Sequence, residues 1–400
     1  MKILQVNKFN YLRGGAERAF LAISEQLEKD GHEVARFCMQ HPKNLPSPWS
    51  KYFVSRLSFN EGGLKDKLKA PFRIIYSTEA RRLFAKLLDD FKPDIIHCHN
   101  IYHQLSPSIL PEARKRKIPV VMHLWDYKLV CPNYKLFTHN EPCTRCLGGK
   151  YGNCLKYRCF NSFSKSLVAT LEMFIHHKLL NIYKANIDRY IAPCQFMKNI
   201  CTQAKFPENK IDLVYNFYTP EFDREAPQEQ CEDYLLYFGR LAKEKGVETL
   251  IRAAKIGKET IKIVGDGPEL ANLETIVKEL KIEDKVKFLG WKHGEDLTNI
   301  INHAKAVIIP SVWYENNPFV LSESLIKGKI VIGSAIGGIS EIIKDGDNGF
   351  IFKPGSPVDL ASVIAKLSLT DLNLMSKRAR ASAQPYAFLK QYENLLKIYN

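Results

Sequence analysis

Short apolar runs alternate with helix-period segments along nearly the whole chain, and this alternation limits the fold more than any other feature. Runs of strand length bounded by turn residues suit strands buried on both faces, and an intervening helix makes the βαβ unit of a parallel sheet. Lys2 to Val6 reads as the first strand. A helix from about Ala16 to Glu28 then sets Ala19, Phe20, Ile23 and Leu27 on one face, and Gly31 ends it before a strand at His32 to Phe37. Pro93 to Cys98, Pro119 to Leu124, Arg189 to Ala192 and Ile211 to Val214 complete one sheet.

Thr219 to Asp233 is polar and acidic with two prolines, as a surface connection between domains would be. After it the alternation restarts, with strands at Tyr234–Phe238, Thr260–Val264, Val286–Leu289, Ala306–Ile309, Ile330–Gly333 and Gly349–Phe352. The expectation is α/β throughout: a first domain over 1–218, a linker over 219–233, a second domain over 234–384 and a final segment over 385–400. The 400 residues give each domain a sizeable core, and 45% hydrophobic with 25% charged residues excludes wholesale disorder.

Lysine and arginine outnumber aspartate and glutamate 58 to 43, and the net charge of +15 favours anionic partners. No apolar stretch approaches the roughly 20 residues that cross a bilayer. Met1 to Val6 is too short for a signal-peptide core, so the expected compartment is the cytoplasm, where the ten cysteines stay reduced.

The densest chemistry lies in Trp313 to Glu323, where Glu315 stands in a loop and Glu323 inside a helix that begins near Asn317 and Pro318. Strand ends face the ligand crevice in such sheets, and a helix start offers free N–H groups to an anion. Glu323 then lies within reach of a sugar hydroxyl pair, although both glutamates also read as solvated helix charges. Arg240 and Lys245, in a loop at another strand end, fit a diphosphate through a planar fork and a point charge. Gly14 and Gly15 follow the first strand and permit close backbone approach. They do not form the GxGxxG dinucleotide fingerprint. Gly337 and Gly338 offer a similar tight loop, and either pair also serves simply to turn the chain.

Together GGAER at Gly14 to Arg18, FGRLAKEKG at Phe238 to Gly246, GDGPEL at Gly265 to Leu270, the E-x7-E pair and the GG-x-x-E run at Gly337 to Glu341 resemble retaining glycosyltransferases of family 4. The resemblance covers nearly the whole chain with the motifs in order. It implies a GT-B fold, two Rossmann-like domains facing each other across a cleft, with the last helix near Tyr386 to Tyr399 crossing back to the first domain. It also implies a nucleotide diphosphate sugar as donor, on UDP or GDP, held mainly by the second domain. By position Arg240 and Lys245 resemble the diphosphate ligands, Glu323 the ribose ligand and Glu315 the residue at the transferred sugar. Asn316, Asn317, Phe319 and Val320 would cradle phosphate, with Gly14 and Gly15 opposite. Front-face transfer through an oxocarbenium-like transition state needs no metal or cofactor on this reading.

The family often carries a histidine directly before the aspartate of a strand-end segment, where this chain has Trp125 before Asp126. His123 lies two residues earlier on the same strand face. It is a catalytic candidate with Asp126, and equally a packed strand histidine. His99, which leads into a loop, and Trp125 are candidates on the acceptor side.

Five cysteines fall within Val130 to Asn161, a cysteine-rich insertion in the first domain. Cys143-x2-Cys146 followed by Cys154 and Cys159 suits a structural zinc, a reduced buried cluster, or a redox pair. Behind them Leu167, Leu171, Phe174, Ile175, Leu179 and Ile182 recur at helical spacing between about Ser162 and Lys184. Either the first sheet or a membrane interface covers that stripe. With the basic stretch Lys43 to Lys69 it makes an anionic membrane surface and a lipid-linked glycan acceptor the expected partners, in bacterial surface polysaccharide synthesis. Basic residues are spread over both halves, which argues against nucleic acid. A non-catalytic nucleotide-sugar-binding homologue is the other reading.

Overall fold

The computed structural model describes residues 1–57, 71–223 and 232–400. Fourteen strands occur among them: β1 (Lys2–Val6), β2 (Glu33–Phe37), β3 (Ile95–Cys98), β4 (Val120–His123), β5 (Phe137–Thr138), β6 (Glu141–Pro142), β7 (Arg189–Ala192), β8 (Ile211–Leu213), β9 (Tyr234–Phe238), β10 (Thr260–Val264), β11 (Val286–Phe288), β12 (Ala306–Ile309), β13 (Ile330–Ser334) and β14 (Gly349–Phe352). The first parallel sheet has the order β2-β1-β3-β4-β7-β8 and the second β11-β10-β9-β12-β13-β14; β5 and β6 form a small antiparallel pair. These are two Rossmann-like units, each with helices on both faces of its sheet. Strand order reverses between β1 and β3 in one sheet and between β9 and β12 in the other. At such a reversal the loops leaving adjacent strands part to opposite faces, opening a crevice at the carboxyl ends.

The chain returns to the first sheet at its end. Tyr218 and Ala387 pair as an isolated parallel bridge, and the helix Phe388–Tyr399 then lays Phe388, Tyr392, Leu395 and Tyr399 against Ile3, Ile95, Val121 and Ile191. Buried side chains of this kind contribute about 1.5–3 kcal/mol each. Polar ends lock the register, with the Tyr392 hydroxyl donating to Asp30 at 2.7 Å and the Tyr215 N–H to Gln391 at 2.8 Å.

Three expectations change. Within the anticipated linker, Pro220–Asp223 is a short helix, and residues 224–231 lie outside the described residues, as do residues 58–70 of the basic stretch. The single helix anticipated from Ser162 to Lys184 is broken into Phe163–Phe174, a π turn at Ile175–Leu179 and Ile182–Asn186, with Asn181 left-handed at φ 45°. The cause is polar. His176 is drawn inward to the Ile75 carbonyl at 2.7 Å, and Glu172 is buried on Lys128 at 2.7 Å. Finally, only part of the apolar stripe meets the first domain's core: Ile182 is buried there, whereas Leu171, Phe174 and Leu179, with Phe163 and Leu180, are exposed while Ser166, Glu172 and His176 are buried.

Candidate active site

The loop leaving β9 carries Arg240, which is exposed, and a 3-10 turn at Lys243–Lys245. Gly246 closes that turn at φ 65° and caps the helix Val247–Ile256. The loop leaving β12 brings Glu315 to the same place. Its Oε1 takes the Lys245 ammonium at 2.7 Å and the Ser311 hydroxyl at 2.5 Å, and the carboxylate is buried. Lys245 also lies 5.2 Å over the Trp313 ring. The Gly338 N–H donates to the Glu315 carbonyl at 2.8 Å, so the Gly337-Gly338 turn buttresses the glutamate's backbone. A positioned cation beside a positioned carboxylate at two strand ends suits a phosphorylated sugar.

Glu323 points elsewhere. It lies in the helix Phe319–Ile326 and is paired with Arg18 of the helix Gly15–Lys29, whose guanidinium also sits 4.5 Å over the Phe319 ring. The two glutamates of the E-x7-E spacing are therefore held by different cations from different domains. Arg18 was missed as a site residue, although it stands within the GGAER run four residues beyond Gly14. Gly15 lies against the second domain: a Cβ there would meet the Phe319 ring at 2.8 Å. Gly14 is extended at φ −166° and needs no glycine conformation.

Asn316 and Asn317 bind protein. The Asn316 amide donates to the Trp125 carbonyl at 2.8 Å and that of Asn317, left-handed at φ 70°, to the Pro193 carbonyl at 3.2 Å. In turn Asn216 donates to the Asn317 carbonyl at 2.7 Å. Both asparagine side chains thus clamp the loop to the first domain. The first-turn N–H groups of Phe319 and Val320 have no intrahelical partner by helix geometry.

On the first sheet β3 and β4 bring His97, His99 and His123 together, with ring nitrogens within 4.8 Å of one another and all three side chains buried. Trp125 lies over them, stacked on His123 at 4.0 Å, and on its other side faces Phe319 at 6.3 Å. His123 therefore stands one ring beneath the cleft, because the larger Trp125 indole covers the face they share. The indole N–H, a donor only, donates a hydrogen bond to His99 Nδ1 at 3.1 Å, which places the His99 proton on Nε2, facing Gln5 at 2.8 Å. His97 Nδ1 meets the Tyr399 hydroxyl at 2.7 Å. Asp126 is half-buried and caps its own turn, accepting from the Lys128 N–H at 2.9 Å, with burial pushing its carboxyl pKa up.

Burial holds these histidines neutral: His97 is pushed down to about 3, and His99 and His123 well below the ordinary value. His177, also at about 3, and His103, at about 4, are lowered for the same reason. The unfolded chain takes up these protons near pH 6.5 and the folded chain does not. Stability is thus complete above that pH and falls as pH drops toward the folded values. His97 alone accounts for a loss of about 2 kcal/mol at pH 5. Urea midpoints measured from pH 7.5 to 5 should fall steadily, and a flat profile would show these rings charged in the fold.

The thiols of Cys143, Cys146, Cys154 and Cys159, with Cys131, line one small cavity away from the cleft.

Comparison with known proteins agrees with this architecture. The family model "Glycosyl transferase 4-like domain" matches residues 14–216, and "Glycosyl transferases group 1" matches residues 219–385. An uncharacterised glycosyltransferase of Methanocaldococcus jannaschii is 34% identical over 181 residues, 41% of this chain and 46% of its own. The match thus spans about half the length of that relative. A 42.6 kDa protein of the cps region of Klebsiella pneumoniae is 25% identical over 358 residues, 86% of this chain and 87% of its own. Among solved structures, Anabaena HepE in complex with UDP and glucose superimposes with a TM-score of 0.68 at 19% identity, covering 100% of this chain and 99% of that one. With the first of these models alone matching just over half of its residues, the chain belongs to the family 4-like, group 1 glycosyl transferases of GT-B fold.

Proposed function

We propose that this protein is a retaining glycosyltransferase that moves a sugar from a UDP or GDP sugar to a lipid-linked glycan, in surface polysaccharide synthesis. The observation that carries the reading is the Lys245–Glu315 pair at 2.7 Å, with Arg240 in the same loop as Lys245, where two strand ends meet. In the reaction the bond from the anomeric carbon to the diphosphate breaks, and negative charge grows on the leaving oxygen. Lys245, Arg240 and the helix start at Phe319 supply a fixed positive field at that point, which lowers the barrier without a metal. Glu315, paired with Lys245 at 2.7 Å, faces the oxocarbenium-like sugar. Arg18, held to Glu323 and to the Phe319 ring, keeps the first domain aligned over the donor. The Anabaena protein's complex with UDP and glucose and the Klebsiella relative's place in a cps region support the donor class and the pathway.

The lipid-linked acceptor is supported by the outward apolar face. Phe163, Leu171, Phe174, Leu179 and Leu180 are exposed, with Lys165 and Lys178 among them. Exposed Phe72 lies nearby, where the hydrogen bond between His176 and the Ile75 carbonyl ties the neighbouring segment on. Lipid covers such a face while the lysines meet anionic headgroups. No helix among the described residues is long and apolar enough to cross a membrane, so contact would be at the surface.

Calorimetric titration with UDP and GDP, without and with magnesium, tests the donor. Micromolar binding of one nucleotide without metal is the expected result, and binding of neither removes the reading. Sedimentation with phosphatidylglycerol vesicles tests the surface; retention should be lost in Phe174→Glu/Leu179→Glu, and equal retention in the variant would reject membrane contact.

A further inference from the structure

We infer that Cys143, Cys146, Cys154 and Cys159 bind one zinc ion as a tetrahedral tetrathiolate, and that this ion holds the segment that buttresses the Lys245 turn. Nine cysteines are described, all as free thiols. Cys38, Cys98, Cys194 and Cys201 are dispersed through apolar cores, where a thiol behaves as a small hydrophobe. The other five, Cys131 to Cys159, converge on one cavity that they line together.

The segment that carries them has little regular structure. Its regular structure amounts to the two-residue strands β5 and β6, a 3-10 turn at Leu147–Gly149 and the five-residue helix Gly152–Lys156. The local apolar cluster is Cys146, Tyr151, Cys154, Ala169 and Met173, so two of its five members are themselves thiols. Six side-chain-bearing residues there are left-handed: Tyr134, Leu136, His139, Asn140, Arg158 and Asn161. Backbone of this kind persists only where its surroundings over-determine it. A metal that ties four points of the chain does so.

The donor set favours zinc. The two cysteines of the CxxC turn and the pair that flanks the end of the short helix come from separate stretches, as in structural zinc sites. Arg145 donates to Cys143 Sγ at 3.5 Å, the outer-shell hydrogen bond that a zinc-bound thiolate takes. Lys135, Arg145, Lys150, Lys156 and Arg158 face a single acid, Glu141, within the segment. Their charge offsets the two negative charges of a zinc tetrathiolate. Cys131 stands apart from the set because its thiol donates to Asn133 at 2.9 Å. The sulfurs are drawn together less tightly than the nitrogens of the histidine trio. Binding pulls the partly exposed Cys143 and Cys159 toward buried Cys146 and Cys154, and thiol protons leave to solvent. The histidine trio itself is the poorer metal site, because both His99 nitrogens and one of His97 are already engaged.

The link to the cleft is Lys135. Its ammonium reaches Glu244 at 3.0 Å, in the same turn as Lys245, and the Glu244 carbonyl receives the Val312 N–H at 3.0 Å. The zinc-held segment therefore braces the loops from β9 and β12 together. This consequence rests on the proposed donor site; the metal site does not.

The full-length protein, purified under reducing conditions without chelator, should contain one zinc per chain by elemental analysis. After chelation, cobalt titration should give the intense visible bands of a tetrahedral thiolate site. Cys143→Ser and Cys154→Ser should lose the metal and Cys131→Ser should keep it. Cobalt titration of the chelated wild type keeps the test open if a variant fails to fold. Absence of both zinc and a cobalt spectrum overturns the site, as does a thiol count in denaturant that shows these cysteines oxidised to disulfides. Metal bound at one per chain with nucleotide affinity unchanged by chelation would leave the site standing and remove its bracing role.

Discussion

Replacing Lys245 by alanine should lower the rate of sugar transfer by about 10²–10³-fold, the loss typical of removing one fixed group from a developing oxyanion. Lys245 is half-exposed and makes its polar contact through Nζ to Glu315. The variant should therefore stay folded, and circular dichroism with thermal unfolding checks this. Glu315 keeps the Ser311 hydroxyl but is left buried without its cation, so the sugar-facing carboxylate also loses its placement. Lys243, exposed in the same turn, provides the control: Lys243→Ala should transfer normally. Turnover assayed with saturating donor separates the two outcomes, and an undiminished rate in Lys245→Ala would remove this residue from the leaving-group site.

Gly246→Ala should carry a large stability cost in the second domain, about 2–4 kcal/mol from a left-handed backbone and an overlap combined. At φ 65° the position disfavours any side chain, and a Cβ there would come within 2.0 Å of the Pro310 carbonyl oxygen. Both partners are backbone, so no rotamer change relieves the contact. Pro310 leads directly into the Ser311–Glu315 loop, so relief of the overlap spreads the two strand-end loops apart. A lower urea midpoint together with weaker nucleotide binding is the expected pair of results. A midpoint equal to the parent's would show that the loop yields freely.

Much of the fold was legible in the sequence because buried parallel strands are local in composition. Val6, Phe238, Ile309 and Phe352 end apolar runs that need no distant information to be read as strands, and β1, β7, β9, β10, β12 and β14 fall where the alternation placed them. What covers the stripe behind the cysteines stayed open because periodicity reports which residues share a face but not what that face meets. Glu172 and His176 found partners in Lys128 and Ile75, far away in sequence, and so turned the apolar residues outward.

The candidate site divides along the same line. Residue type and position at strand ends brought Arg240, Lys245 and Glu315 into view, since a strand-end loop carrying cations has the same chemistry wherever the chain folds. The sequence by itself determined two parallel α/β sheets, the strand ends that carry charge and the family to which the motifs belong. Only the tertiary structure decided which cation holds which acid: Lys245 takes Glu315 and Arg18 takes Glu323, although the spacing of the acids presented them as one pair. It likewise decided that Trp125 covers His123, and that Asn316 and Asn317 clamp the two domains together. Apart from Trp125 over His123, these are contacts between residues tens to hundreds of positions apart. Their energies depend on packing distance and burial, quantities that exist only after the chain has folded.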